Sequence, residues 1–126
     1  MVHVATLLAT VLLLVISDAT ISTARLRAGS FFLIHEAEGA QALVRSVKSG
    51  NQKMEFSGKN RGKWVDSNGR VLTYESANFH LFRNGSVLMK YTRMADAGTY
   101  QKDPNPMIVI GDMGYAPPVL IIQVYN

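Results

Sequence analysis

His35, Glu36 and Glu38 bring an imidazole and two carboxylates close together along the chain, the combination that general acid–base chemistry draws on. Successive side chains on a strand point to opposite faces, however, so in a strand over Phe31 to Glu36 the imidazole and its neighbouring carboxylate cannot share a site. His80, between Phe79 and Leu81, reads as a strand residue with a hydrogen-bond partner. Neither histidine falls in a metal-ligand spacing such as His-x-His or His-Glu-x-x-His. The chain has no cysteine, which removes thiolate nucleophiles and zinc–thiolate sites. The run Gly58-Lys59-Asn60-Arg61-Gly62-Lys63 imitates a phosphate-binding loop but is one residue short, and Trp64 stands where Ser or Thr would hold magnesium. No catalytic set, cofactor site or metal site emerges, and the expectation is a non-enzyme.

Two features suit binding and modification instead. Lys59, Arg61, Lys63 and Arg70 concentrate positive charge around Trp64, a patch able to engage a sulfated glycan or an acidic protein, although such exposed charge also serves solubility alone. Asn84-Gly85-Ser86 is the chain's N-glycosylation sequon, and Asn-Gly marks it as a hairpin tip where a glycan meets no obstruction.

Both features acquire meaning from the amino-terminal segment. Val4 to Ile16 is an apolar run broken only by Thr6 and Thr10, and it ends at Ser17-Asp18 before the small residues Ser22, Thr23 and Ala24. It is too short for a bilayer core that requires roughly 20 helical residues. Residues 1–24 therefore read as a secretory signal peptide cut after Ala24, where Ser22 and Ala24 satisfy the peptidase's demand for small side chains. Residues 25–126 form the exported domain, with membrane contact expected only if the leader is retained. Removing Asp18 raises the formal charge from +4 to +5. No nucleic-acid partner is expected at this balance.

The exported part suits one domain of about 100 residues held by packing alone, since small exported domains without disulfides must rely on their core. Short apolar and β-branched segments separated by Gly, Asn, Ser and Pro give an all-β rhythm. Strands are expected over Phe31 to Glu36, Ala42 to Val47 and Lys53 to Phe56, the last after a Ser49-Gly50-Asn51 turn. Asn68-Gly69 should join Lys63–Val65 to Val71–Tyr74. Asn84-Gly85, as a two-residue type I′ turn, should join Asn78–Phe82 to Val87–Tyr91 and pair Phe82 with Val87. Beyond the loop Asp103-Pro104-Asn105-Pro106 come Met107 to Ile110, a Gly-rich turn over Gly111 to Gly114, and Val119 to Val124, entered through Pro117 and Pro118.

Within this pattern, Val87 and Met89 followed by Asp96-Ala97-Gly98-Thr99-Tyr100 resemble the corner between the fifth and sixth strands of an immunoglobulin-like domain. The resemblance implies a β-sandwich of about seven to eight strands, with Val87 and Met89 inward. Gly98 would allow the turn, Tyr100 would hydrogen-bond backbone a few residues upstream, and Asp96 would accept bonds at the same corner. Together with Trp64-Val65-Asp66-Ser67-Asn68-Gly69 and Ala116-Pro117-Pro118, it is similar to small secreted immunoglobulin-like proteins of nematodes. The family's disulfide is missing, because Lys102 occupies the position of its second cysteine. Trp64 also lies off Ala42–Val47, the strand that would carry the core tryptophan. The resemblance implies a secreted recognition module for an extracellular protein or acidic glycan. A structural component of matrix or cuticle-like material is the alternative.

Overall fold

The computed structural model describes residues 21–35, 37–105, 108–111, 113–115 and 118–126. The apolar leader run, Glu36, Pro106, Met107, Asp112 and the Ala116-Pro117 approach lie outside the described residues. The larger of two packed sheets has the strand order β1 (Ile21–Arg27), β11 (Val119–Tyr125), β8 (Gly98–Asp103), β3 (Ala42–Val47), β4 (Gly50–Glu55) and β5 (Trp64–Asp66). The smaller sheet runs β2 (Phe32–Ile34), β7 (Val87–Met89), β6 (Phe79–Leu81), and β9 (Ile108–Ile110) pairs with β10 (Met113–Tyr115) in a separate hairpin. This is the all-β sandwich that the sequence implies, without a disulfide. Its described strands number eleven rather than seven or eight, because several are only three residues long.

Alternation explains how the sheets meet. Leu43 and Val47 of β3, Met54 of β4, Tyr100 of β8 and Leu120 and Ile122 of β11 turn inward from the large sheet. Ile34, Phe79, Leu81, Val87 and Met89 meet them from the small sheet. Trp64 lies fully buried between the layers, with its ring edge-on to Phe79 at 5.4 Å and to Tyr100 at 6.4 Å. Burying such rings removes a large apolar area from water, and edge-to-face packing adds roughly 0.5–1.5 kcal/mol per pair.

Both Asn-Gly turns differ from the expected two-residue form. Phe82 N–H bonds to the Ser86 carbonyl, leaving a loop of Arg83, Asn84 and Gly85, and the strand pairs are Leu81↔Val87, His80↔Leu88 and Phe79↔Met89. The register is therefore one residue away from Phe82↔Val87. Asp66 N–H likewise bonds to the Arg70 carbonyl around Ser67, Asn68 and Gly69. The physical reason is shared: Gly69 and Gly85 take positive φ (83° and 91°), while no described non-glycine residue does. A three-residue loop needs one left-handed residue where the type I′ turn needs two. The shift also resolves which face is inner, since Phe79, Leu81, Val87 and Met89 all become buried together.

The strand expected over Val71–Tyr74 is replaced by one isolated bridge, Val71↔Val65, and a short helix α1 (Thr73–Ala77). Ser76 causes this locally. Its N–H and Oγ both donate to the Leu72 carbonyl, at 2.9 and 2.6 Å, while Oγ accepts from the Trp64 N–H at 2.8 Å. Elsewhere β4 starts at Gly50, narrowing the expected turn, and β10 takes Met113 and Gly114 from the expected Gly-rich turn. β1 begins at Ile21, so its first four residues precede the cut expected after Ala24.

Candidate binding cleft

The corner residues hold one end of the β8 strand against its neighbours. Tyr100 Oη donates to the Asp96 carbonyl at 2.6 Å. The Asp96 carboxylate accepts from Arg93 N–H at 3.2 Å, from Arg93 Nε at 3.1 Å and from Arg45 Nη1 at 3.0 Å. A Cβ on Gly98 would overlap the Ser46 carbonyl oxygen, and its φ of 154° disfavours any other residue, so β8 and β3 approach each other only with glycine there. Burial is the largest influence on the Tyr100 phenol and pushes its pKa up to about 12, although neighbouring Arg45 pulls the other way. These groups are occupied with one another and serve architecture.

Arg45 is the residue that sequence reasoning missed. It shares the inward face of β3 with Leu43 and Val47, and its guanidinium lies 4.4 Å from the Trp64 ring centroid, 5.2 Å from Phe79 and 5.8 Å from Tyr100. Nε donates to Gln52 Oε1 at 2.7 Å and Nη1 to Tyr100 Oη at 3.0 Å. The legible signal was an arginine in register with two apolar residues on an alternating strand.

The basic residues do not form one patch. Lys59, Arg61 and Lys63 are exposed on the β4–β5 connection, whereas exposed Arg70 follows the turn at the far end of β5. Arg61 and Lys63 share a shallow depression of about 350 Å³ beside α1 with Val71, Thr73 and Ser76. Arg61 also reaches a cleft of about 420 Å³ at the loop end of the sandwich, where the β2–β3 loop, the β4–β5 connection and the β6–β7 loop converge. There it is joined by Arg83, a residue that only the hairpin fold brings near it, together with Gln41, Phe56, Ser57 and Phe82. Among the described residues neither Arg61 nor Arg83 makes a side-chain hydrogen bond or ion pair. Glu55, the one acid among the described residues lining the cleft, lies 3.3 Å from Lys53 Nζ, which also meets Asp103 at 3.0 Å.

Asn84 forms part of the rim of this cleft. Its Oδ1 accepts from Ser86 N–H at 3.0 Å and Ser86 Oγ at 2.6 Å, with Ser86 buried and Asn84 exposed. The carbonyl half of the amide is thereby fixed by the turn, while Nδ2, the atom that would carry a glycan, keeps no partner among the described residues. His35 and Glu38 form an exposed pair at 3.0 Å, and His80 packs edge-on to Phe82 at 4.7 Å. Among the described residues no group of three or more His, Asp or Glu side chains is placed to hold a metal ion, and no helix is long and apolar enough to cross a membrane.

No family model matches the chain, and no curated protein matches it. Among solved structures 39 chains match. One is extracellular domains 3–5 of Drosophila OTK, similar over 85% of this chain and 34% of that one, at 15% identity and a TM-score of 0.42. The chain thus spans about a third of the length of that structure.

Proposed function

We propose that this protein is an exported, non-enzymatic recognition module whose loop-end cleft binds an anionic extracellular partner, of which a sulfated or carboxylated glycan is the best-fitting class. The observation that carries this is the convergence of Arg61 and Arg83 on one cleft where Glu55, the one acid among the described lining residues, is already engaged by Lys53. A guanidinium presents a planar fork of donors that matches sulfate or carboxylate in bidentate fashion, and desolvation inside a cleft strengthens such bonds relative to open surface. Phe82, partly exposed beside them, offers an apolar face to the uncharged part of a ligand. Export, expected from the apolar leader, supplies the compartment in which such glycans occur.

Retention of the purified domain on immobilised heparin tests the proposal. Arg61→Ala with Arg83→Ala should elute at clearly lower salt than the parent, whereas Lys59→Ala with Arg70→Ala should shift elution much less, because those side chains lie outside the cleft. Equal shifts from the two pairs would reduce the interaction to diffuse charge and overturn the cleft assignment.

A further inference from the structure

The first strand reaches back into the segment that the sequence assigns to the leader. β1 pairs in parallel with β11 over seven positions, and four of these pairs, Ile21↔Val119, Ser22↔Leu120, Thr23↔Ile121 and Ala24↔Ile122, involve residues that a cut after Ala24 would remove. Ala24 also packs against the core alongside Leu26 of the same strand. A domain beginning at Arg25 would lose that contact and place a charged amino terminus within the strand pair. It would also leave the first half of β11 as a bare edge, with backbone donors and acceptors open to another chain.

Signal peptidase selects small residues three positions and one position before the bond, and between the apolar run and the end of β1 this chain offers that spacing with alanine beside the bond twice. Ser22 and Ala24 provide it inside β1. Ser17 and Ala19 provide it just upstream, directly after the apolar run that ends at Ile16. We propose that maturation hydrolyses the Ala19–Thr20 bond, so that the working chain is Thr20 to Asn126 and carries the whole of β1. Water adds across the peptide bond, leaving a carboxylate on Ala19 and an ammonium on Thr20. Asp18 departs with the leader, as it would in a cut after Ala24, so the formal charge of the mature chain is +5 in either case. What changes is the sheet: the new amino terminus falls one residue before the first strand pair instead of in its middle.

The inference rests on the reading that the chain is exported, and one experiment separates the two. The full chain is expressed in a eukaryotic secretory host, and the amino-terminal residue of the protein in the medium is sequenced. Thr20 as the first residue is the expected result. A released protein beginning at Arg25 overturns the assigned bond and leaves export standing, while a chain that stays in the cells and still begins at Met1 overturns export itself. Two variants sharpen the outcome. Ala19→Gln should accumulate unprocessed precursor. Ser22→Gln, at an exposed position of β1, should be released with Thr20 first. Accumulation of precursor by the second variant and not the first would overturn the proposal.

Discussion

Arg45 Nη1 and Asp96 Oδ1 meet at 3.0 Å with both side chains shielded from solvent, on elements 51 residues apart in the chain. Arg45 belongs to the large sheet, yet its guanidinium stacks against Phe79 of the small one, while Asp96 anchors the corner through Arg93 and the Tyr100 phenol. The pair ties the corner and both layers at one point.

Removing one member should be far more harmful than its Coulomb energy suggests, because the other is left charged in the core. Arg45→Ala is expected to cost roughly 3–5 kcal/mol, read from the midpoint of a urea unfolding curve. Arg45→Met with Asp96→Asn should cost less than the sum of the two single changes, since neither member of the pair is left charged opposite a missing partner and Arg93, the other partner of Asp96, is partly exposed. Additive single effects would show that the two side chains act separately.

Tyr100→Phe removes the phenol that donates to the Asp96 carbonyl and accepts from Arg45, and should cost about 1 kcal/mol or more at neutral pH. It should also alter the alkaline limb. The fold holds this phenol protonated to about 12, whereas an unfolded chain releases the proton near the ordinary value of 10.0. Its contribution is therefore complete below pH 10 and declines as pH rises toward 12. Thermal midpoints measured between pH 8 and 11.5, ranges set by roughly these two values, should fall with pH for the parent and fall less for the variant. Parallel curves would place the phenol's role elsewhere.

Glycan attachment at Asn84 has a direct readout. Protein secreted from a eukaryotic host should lose apparent mass on treatment with an amidase that removes N-linked glycans, and Asn84→Gln should abolish the difference. Ser86→Ala should abolish it too and destabilise the β6–β7 loop by about 1 kcal/mol, since it also removes the 2.6 Å bond to Asn84 Oδ1. Untreated protein that already migrates like the Asn84→Gln variant would show the asparagine serving the turn alone.

The layers of the fold were legible because burial on one face imposes a two-residue rhythm. Ala42–Val47 matches β3 residue for residue, and the corner motif places Gly98 against Ser46 as its lack of a Cβ requires. What escaped depends on competition between local and distant bonds. Asn84 could supply a left-handed residue or a side-chain acceptor, and its Oδ1 bonds to Ser86 decided for the second, moving the hairpin by one position. Val71–Tyr74 has strand composition, but Ser76 ties the Trp64 N–H and the Leu72 carbonyl into one helical turn. The cleft was only half visible. Arg61 stood out as part of a charge run, while Arg83 joins it through convergence of three loops that no spacing along the chain encodes.

The core tie built around Arg45 consists of hydrogen bonds, ionic contact and ring stacking, all of which form as soon as the strands meet. Such a tie is indifferent to electron donors. The domain should fold equally well in a reducing cytosol and in an oxidising lumen, require no thiol oxidant or isomerase on its way out of the cell, and keep its melting temperature when dithiothreitol is added.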